Sequence, residues 1–304
     1  MGMLNGKVIL VTGGGRGIGR ETAIVAARLG AKVIVNDLGA AIDGGGADKT
    51  PAQEVVDIIK AGGGEAAANF ESVTDLRAVG RMVQQAMDLF GGLHAVSNPA
   101  GILRDRMAHN MTEEEWDAIM TVHLRGHFNV VRATIAHFRS QQDGVYVMWS
   151  STSGLIGNVG QSNYGAAKMG IAGFSRIIAL EGARNNVRSN ALAPGAATRM
   201  TDSVPRDEET AKRRAAMRDI QSPLRPAELA AALMSDAAKT VSGQIFGVGG
   251  YNLSIYSQPR PIATYAREGG WDAAGIVKDF LPRAEKDFTA LGRPAMAAVV
   301  QVPA

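Results

Sequence analysis

The sequence predicts an α/β fold: a doubly wound parallel seven-stranded sheet with helices on both faces, in a single domain with a C-terminal tail. Short β-branched apolar runs alternate with stretches of helical periodicity from residue 7 to about residue 250, which is typical of parallel strands joined by right-handed crossovers. The runs are apolar on both faces, as strands of a buried parallel sheet are. We expect one domain over 1–250 and an extension over 251–304 that packs on that domain or on a subunit interface.

Each predicted strand is a short run of valine, isoleucine or alanine bounded by polar or glycine-containing segments. Runs of this length and composition favour strands over helices. The weakest is 65–69, which consists mainly of alanine. The seven predicted strands are 7–12, 32–36, 65–69, 94–97, 145–149, 187–192 and 244–248.

Helix boundaries are marked by capping residues. The first helix follows a glycine-rich segment and continues to about Leu29. In the next helix, "TPAQ" provides Thr50 as the predicted N-cap, Pro51 at the first helical position and Gln53 as the partner of a capping box. Gly62 is predicted to end that helix.

Later helices begin at similar signals. "TEEE" predicts a second capping box, formed by Thr112 and Glu115. Pro226 is predicted to open a helix, because proline is favoured at the first helical position. Within the tail we expect a short helix around 271–280.

Composition limits the classes of function. The chain has 32 basic and 29 acidic residues and a formal net charge of +3, which does not indicate a nucleic-acid-binding surface. Without cysteine there are no disulfides, thiolate metal sites or cysteine nucleophile. No apolar run is long enough to span a bilayer, and the N-terminus lacks the features of a signal peptide. We therefore expect a cytoplasmic protein that binds neither nucleic acid nor a membrane.

The first predicted strand leads directly into "TGGGRGIG", Thr12 to Gly19, and then into a helix. Glycines allow a tight turn and let backbone N–H groups approach a pyrophosphate at the helix N-terminus, where the dipole favours negative charge. A flexible turn is the alternative. The position between a strand and a helix favours a nucleotide-binding loop.

Asp37 follows the second predicted strand, eighteen residues beyond Gly19. A carboxylate there can accept hydrogen bonds from a ribose 2′-hydroxyl and repels a 2′-phosphate, which favours NAD over NADP. Arg16 favours the opposite choice, because a guanidinium in the glycine loop can bind that phosphate. We predict NAD as the cofactor, with a strand-end turn as the alternative role of Asp37.

Tyr164 and Lys168 in "QSNYGAAKMG" are four residues apart, so a helix places them on one face, one turn apart. A free tyrosine has a pKa of about 10, and lowering it to about 7 requires roughly 4 kcal/mol of preferential stabilisation of the phenolate. An exposed ion pair supplies at most about 1 kcal/mol. A role in proton transfer therefore requires a partly desolvated cleft, and an ordinary surface pair is the alternative.

Five motifs in a fixed order carry a family resemblance. They are "TGGGRGIG" (12–19), "NPAG" (98–101), "SSTSG" (150–154), "YGAAK" (164–168) and "PGAAT" (194–198). From about Lys7 to Gly250 the chain resembles the short-chain dehydrogenase/reductase family. It is most similar to the (3R)-hydroxyacyl-CoA dehydrogenase unit of peroxisomal multifunctional β-oxidation enzymes and to bacterial hydroxysteroid dehydrogenase relatives. The resemblance implies a Rossmann-type fold, with 1–250 as the dinucleotide-binding and catalytic domain.

The resemblance also implies residue roles. Tyr164 would be the general acid/base, and Lys168 would lower its pKa and hold the nicotinamide ribose. Ser151 would hydrogen-bond the substrate carbonyl, with Ser150 and Ser153 as second choices. The implied cofactor contacts are Thr12, Gly13, Arg16, Gly17, Ile18, Gly19, Asp37, Ser72, Val73, Asn98, Ala100, Gly101, Tyr164, Lys168, Pro194, Gly195 and Thr198.

The sequence departs from the family pattern in "TVHLRG", where His123 takes the place of an asparagine that many members have. His123 is either part of a proton relay through water, as a catalytic support residue, or a helix histidine satisfied by a backbone carbonyl. His123 and His127 have the spacing of a zinc pair, but no third ligand accompanies them, so we expect no metal.

The resemblance implies an NAD-dependent oxidoreductase that interconverts a secondary alcohol and a ketone on a bulky apolar substrate, such as a 3-hydroxyacyl-CoA or a hydroxysteroid. The alternatives are a carbonyl reductase for smaller ketones and a non-catalytic nicotinamide-binding protein. Arg104, Arg106, Arg213 and Arg214 either meet CoA phosphates or form a solvated surface.

Small residues along the helix of Tyr164 suit close helix–helix approach. They are followed by larger apolar residues on the same helix. We therefore predict a homodimer or homotetramer, as the family commonly forms. The residues concerned are Gly165, Ala166, Ala167, Gly170, Ala172, Gly173, Phe174 and Ile178.

Overall fold

The structure, a computed structural model, describes residues 2–196, 209, 218–290 and 301–302. The chain divides into two compact units, Met1–Tyr256 and Ser257–Ala304. In the described part of the first unit the strands are β1 Val8–Thr12, β2 Lys32–Asn36, β3 Glu65–Asn69, β4 Ala95–Asn98, β5 Gly144–Trp149, β6 Val187–Gly195, β7 Ile245–Gly249 and β8 Asn252–Ile255. They form one sheet in the order β3-β2-β1-β4-β5-β6-β7-β8.

The seven predicted strands are confirmed, and they pair in parallel with one another. β8 is an addition, because it lies in the segment assigned to the tail and pairs antiparallel with β7. It follows β7 through a two-residue turn in which Gly250 has a φ of +59°. Since no helix precedes it, the strand–helix alternation did not indicate it.

Helices cover both faces of the sheet, as predicted. α1, α2 and α8 contribute to one apolar layer with Ile9 and Val11. α3, α5 and α7 contribute to the other with Val8 and Leu10. Successive side chains of β1 therefore pack alternately into the two layers. The helices are α1 Gly17–Arg28, α2 Thr50–Ala61, α3 Leu76–Phe90, α4 Glu113–Ile119, α5 Gly126–Gln141, α6 Thr152–Leu155, α7 Ser162–Gly182 and α8 Leu224–Met234, with a π-helix, Met120–Arg125, between α4 and α5.

The strand order reverses between β1 and β4, which are adjacent in the sheet. In open α/β sheets, ligands bind in the crevice outside the carboxyl ends of the strands at such a point. Thr12, Asn36 and Asn98 end their strands at this edge. The segments that follow them therefore define the expected position of a site.

The start of α2 corrects one prediction. Gly62 is the C-cap, as predicted, but the N-cap is Lys49, so Thr50 is already helical and the predicted Thr50–Gln53 capping box is wrong. Asp48 Oδ1 accepts the N–H of Thr50 at 2.9 Å, and Gln53 Nε2 donates to a carboxylate one turn further along. Asp48, two residues before Thr50, therefore takes the place of the Gln53 side chain, and the N–H of Gln53 bonds Lys49 O at 3.2 Å.

The second capping box is confirmed. Thr112 Oγ1 accepts the N–H of Glu115 at 3.2 Å, and Glu115 Oε2 accepts that of Thr112 at 3.0 Å. α8 begins at Leu224, two residues before the predicted opening at Pro226. Ser222 Oγ accepts the N–H of Leu224 at 3.3 Å, so proline occupies the first turn without being its first residue.

In the second unit, helical backbone runs through Ala273–Gly275, Ile276–Phe280 and Leu281–Ala284, close to the predicted 271–280. The predicted boundary at 250 and the packing of the extension stay predictions. Among the residues that the structure describes, no helix is both long and apolar enough to cross a membrane.

Candidate active site

A cavity of about 280 Å³ lies at the carboxyl ends of the strands. The glycine loop between β1 and α1 forms part of its wall. Gly14 N donates to Asn36 O at 2.8 Å, which ties the loop to the end of β2. Gly13 has a φ of +57°, and a Cβ there would lie 2.7 Å from Ala100 Cα. A Cβ at Gly19 would collide with the carbonyl oxygen of Gly13.

No side chain caps the start of α1, where Arg16 is the N-cap residue. The first N–H groups of a helix have no intrahelical partner, and together with the helix dipole they favour an anion. The loop therefore fits the pyrophosphate of a dinucleotide, since glycine at Gly13 and Gly19 allows the tight backbone packing that a side chain would prevent.

Asp37 lies beside this loop at the end of β2. Its Oδ2 accepts the N–H of Gly15 at 2.8 Å, and its Oδ1 accepts the N–H of Gly39 at 2.6 Å. The carboxylate therefore braces two turns. Two carboxylate oxygens offer about four acceptor positions, so this bracing leaves capacity for a ligand hydroxyl.

Arg16 also lines the cavity, but its guanidinium is turned toward the segment after β2. Its Nη1 donates to Ala40 O at 3.4 Å, and its Nη2 lies 3.8 Å from Asp48 Oδ2. Both partners compete with an added phosphate for the guanidinium.

α7 brings Tyr164 and Lys168 into the same cavity, on one helical face as predicted. The Lys168 side chain is only 4% exposed. Its Nζ donates to Trp149 O at 2.7 Å and lies 5.3 Å from the centroid of the Tyr164 ring. Burial lowers the pKa of Lys168 to about 7. The pair is therefore desolvated, which excludes the surface-pair alternative.

Burial raises the pKa of Tyr164 to about 12, partly opposed by a hydrogen bond with the Ser151 side chain. This direction is opposite to the lowered pKa that the family resemblance implied. Burial is the main cause, and the Nζ of Lys168 donates to a backbone carbonyl. The protein's own groups therefore keep the Tyr164 phenol protonated near neutral pH.

Of the three candidate serines, Ser151 is the one that reaches the phenol of Tyr164. Ser150 also lines the cavity, but its hydroxyl donates to Lys168 O at 2.8 Å. The backbone N–H of Ser153 donates to Ser151 Oγ at 3.1 Å. The geometry thus favours Ser151 over the second choices.

His123 lies in the π-helix, a type of helical turn that is frequent at functional sites. Its Nε2 lies 2.8 Å from Ile102 O, and its ring meets the Tyr164 ring edge-on with centroids 5.2 Å apart. Nδ1 is buried and has no partner among the described residues. Burial is the main cause that lowers the pKa of His123 well below its usual value, and the charge of Lys168 lowers this pKa further. The imidazole is neutral, and its Nε2 meets both the carbonyl oxygen and, at 3.2 Å, the N–H of Ile102.

His127 does not join His123 in a metal site. Its Nδ1 lies 2.7 Å from His123 O, and its Nε2 accepts the N–H of Trp149 at 3.4 Å. Burial lowers its pKa to about 3. The described part of the chain contains no group of three or more metal-ligating side chains.

Most predicted site residues line the cavity together, and some do not. Thr12 and Asn98 are buried behind its wall, where Thr12 Oγ1 donates to Asn98 Oδ1 and joins the ends of β1 and β4. Gly195 is also outside the lining, and Thr198 lies outside the described residues. The lining includes Gly13, Arg16, Gly17, Ile18, Gly19, Asp37, Ser72, Val73, Ala100, Gly101, His123, Ser150, Ser151, Tyr164, Lys168 and Pro194.

The lining also contains residues that the sequence did not single out. Asn36 and Trp149 end predicted strands, and Glu71 and Pro99 come two residues after one, so proximity to a strand end is the signal that could have found these four. The segment from Ala40 to Gly44 has no such signal. The residues are Asn36, Leu38, Ala40, Ala41, Gly44, Glu71, Thr74, Pro99, Ile102, Val122, Trp149 and Ala196.

The chain is similar to known proteins along most of its length. The family model of short chain dehydrogenases matches residues 7–209. The hydroxyacyl-CoA dehydrogenase ChsB1 of Mycobacterium tuberculosis is 39% identical over 88% of this chain and 86% of that protein. A crystal structure of a short chain dehydrogenase from Mycobacterium avium superposes with a TM-score of 0.83, is 36% identical, and matches 96% of this chain and 98% of that one.

The mouse peroxisomal multifunctional enzyme type 2 is 48% identical over 200 residues. The match covers 66% of this chain and 27% of the mouse enzyme, so the chain corresponds to about a quarter of that protein.

Proposed function

Because the chain belongs to the short-chain dehydrogenase family, oxidoreductases that interconvert secondary alcohols and ketones with NAD(P), we propose that its cofactor is NAD and its substrate a bulky apolar 3-hydroxyacyl-CoA or hydroxysteroid. The observation that carries the proposal is the meeting of Ser151, Tyr164 and Lys168 in one cavity with the glycine loop. A protein that only senses the cofactor needs the glycine loop but does not need Ser151, Tyr164 and Lys168.

Tyr164 is the proton-transfer residue in this proposal. As a phenol it donates its proton to the carbonyl oxygen of a ketone, and as a phenolate it takes the proton of an alcohol hydroxyl, while Ser151 holds the same substrate oxygen by a hydrogen bond. A phenol with a pKa of about 12 is a poor base at neutral pH. Alcohol oxidation therefore requires additional positive charge near the phenol.

Lys168 is placed to provide part of that charge. Its pKa of about 7 makes its charge sensitive to the contents of the cavity. When bound, a nicotinamide dinucleotide supplies the hydride acceptor or donor and, in its oxidised form, a positive ring. The residues that would hold it are the glycine loop at the pyrophosphate, Asp37 at the adenosine ribose and Lys168 at the nicotinamide ribose.

Asp37 supports NAD rather than NADP. The carboxylate is fixed by two backbone N–H groups at the cavity wall, where it would repel a 2′-phosphate. The guanidinium of Arg16, which could have favoured NADP, lies near a backbone carbonyl and Asp48 instead.

The names of relatives support a thioester substrate. The Mycobacterium tuberculosis relative is a hydroxyacyl-CoA dehydrogenase. The arginines near the cavity give less support, because Arg104 Nε donates to Asp43 O at 2.9 Å and Arg106 pairs with Glu115 at 2.7 Å. Arg213 and Arg214 lie outside the described residues.

The decisive experiment compares initial rates of NAD reduction with a 3-hydroxyacyl-CoA and with a 17β-hydroxysteroid at matched concentration. A preference for the thioester supports a hydroxyacyl-CoA dehydrogenase, and a preference for the steroid supports a hydroxysteroid dehydrogenase. If neither reacts but small ketones are reduced, the proposed substrate class is wrong.

The second experiment is Tyr164→Phe, which removes only the phenolic oxygen. We expect turnover to fall by at least about 100-fold, in line with the loss of a general acid/base. NAD binding, measured by calorimetry, should change little, because the ring remains. Unchanged turnover would contradict the assignment of Tyr164.

A further inference from the structure

The face of α7 that carries Tyr164 and Lys168 continues one turn toward the start of the helix, to the N-cap residue Gln161. Spacings of three and four residues put side chains next to each other on a helix surface. Gln161 is buried, and its Nε2 donates to Asp105 Oδ2 at 2.6 Å. The Asp105 carboxylate is therefore held by the residue that comes three positions before Tyr164, whereas Lys168 comes four positions after Tyr164.

Backbone contacts hold Asp105 in this place from both sides. The N–H of Arg106 donates to Gly160 O at 2.8 Å. On the other side, the buried side chain of Asn163 donates from Nδ2 to Arg104 O at 3.0 Å. The segment after β4 is thus tied to the residues that lead into α7.

The neighbouring arginines do not neutralise the carboxylate. Arg104 Nε is bonded to Asp43 O, and Arg106 is paired with Glu115. Within the described residues, Asp105 has Gln161 as its hydrogen-bond partner and no ion pair. Partial burial raises the pKa of the Asp105 carboxyl, opposed by the bond from Gln161.

The groups that face Tyr164 come from four elements. Lys168 is on α7, neutral His123 on the π-helix, Ser151 at the start of α6, and Asp105 on the segment after β4. Only Lys168 and Asp105 can carry charge near neutral pH, and their charges are opposite. The negative charge of Asp105 is one of the causes that raise the pKa of Tyr164.

We propose that Asp105 is a positioning residue for proton transfer: its negative charge, held by Gln161 on the face of α7 that carries Tyr164, opposes Lys168 and sets the pH range in which Tyr164 works. The inference rests on the proposed function for its catalytic meaning. Its physical content, a charge that acts on the phenol, does not require turnover.

The test is Asp105→Asn, which keeps an oxygen acceptor for Gln161 and removes the charge. In enzyme saturated with NAD, the titration of Tyr164 is followed by phenolate absorbance, as the difference from the same protein carrying Tyr164→Phe. We expect this titration to move to lower pH. Below the apparent pKa, kcat/KM for alcohol oxidation should rise roughly two- to ten-fold.

Two variants serve as controls. Asp117→Asn removes an exposed carboxylate on α4 and should leave the Tyr164 titration unchanged. Asp105→Glu keeps the charge and should stay close to the original titration. The proposal is overturned if folded Asp105→Asn protein titrates like the original, or if the Asn and Glu variants shift equally, because the effect would then be structural.

If Asp105→Asn does not fold, Gln161→Leu decides the matter, because it releases the carboxylate from its donor. A shift to lower pH supports the proposal and an unchanged titration contradicts it. Absence of turnover in the unmodified enzyme would overturn the proposed function, and the absorbance titration would still test the effect of Asp105.

Discussion

At the scale of single residues, Lys168 is a buried lysine whose Nζ donates to the carbonyl of Trp149. A carbonyl dipole compensates less of the lost hydration than a carboxylate does, so the neutral amine is favoured and the pKa falls to about 7. The unfolded chain keeps a value near 10.5. Folding is therefore penalised below about pH 7, and the penalty disappears as the pH rises toward 10.5.

Lys168→Met tests this penalty. The variant should be inactive but more stable at pH 7 by about 1–3 kcal/mol, after allowing for the carbonyl of Trp149 that loses its donor. The gain should shrink as the pH approaches 10, because the original lysine is then neutral in both states. Urea denaturation of both proteins at several pH values measures the difference. A variant that is less stable at pH 7 would show that the lysine is well solvated.

Asp37→Ala tests the cofactor preference. The change removes the charge at the adenosine ribose, so the ratio of kcat/KM with NADP to that with NAD should rise at least about ten-fold. Alanine also removes the acceptor for Gly15 and Gly39, and Asp37→Asn is the matched variant that keeps an oxygen there. If the ratio stays constant in both variants, Asp37 acts only as a brace for the loop.

At the scale of elements, the sequence predicted what depends on local pattern. Both partners of the Thr112–Glu115 capping box are within three residues, and the structure contains both bonds. The start of α2 shows the limit of the same logic. Thr50 and Gln53 fit the pattern of a capping box, yet the backbone N–H of Thr50 donates to Asp48 and not to Gln53. Two acceptors were available locally, and the turn geometry before the helix selected between them.

Other elements depend on contacts that are distant in sequence. The π-helix through His123 has the composition of an ordinary helix, and its distinguishing contact is with Ile102, on another segment. Leu38 and Gly44 line the cavity because the segment after β2 is tied to the one after β4, where Leu103 N donates to Ile42 O at 2.9 Å. The cavity lies at the ends of predicted strands, whereas nothing in the sequence indicated the contact between the segment after β2 and the segment after β4.

At the scale of the whole molecule, α7 has two different faces. Ala167, Ala172 and Ile178, which the sequence assigned to a helix–helix contact between subunits, are buried within the chain. The exposed stripe instead runs through Met169, Gly173, Ile177 and Leu180 at helical spacing. Ile177 is 49% and Leu180 69% exposed, and a Cβ at Gly173 would meet open space.

We propose that this stripe forms the contact of a homo-oligomer, together with the exposed Phe128 of α5. An exposed apolar stripe next to a glycine permits close approach of a second copy, and contiguous apolar surface of this kind is uncommon on monomers. The homo-oligomer was predicted from the small residues of α7, and the exposed stripe that supports it shares only Gly173 with them.

Leu180→Glu tests the assembly. A charge buried in an apolar contact cannot be hydrated once the contact forms, so the variant should shift toward a monomer, as measured by light scattering at several protein concentrations. Leu89→Glu on α3 introduces the same charge at another exposed leucine and should leave the mass unchanged. Because α7 also carries Tyr164 and Lys168, a monomeric variant that keeps its thermal stability but loses turnover would show that the contact supports the active-site face of the helix. A Leu180→Glu protein of unchanged mass would place the contact elsewhere.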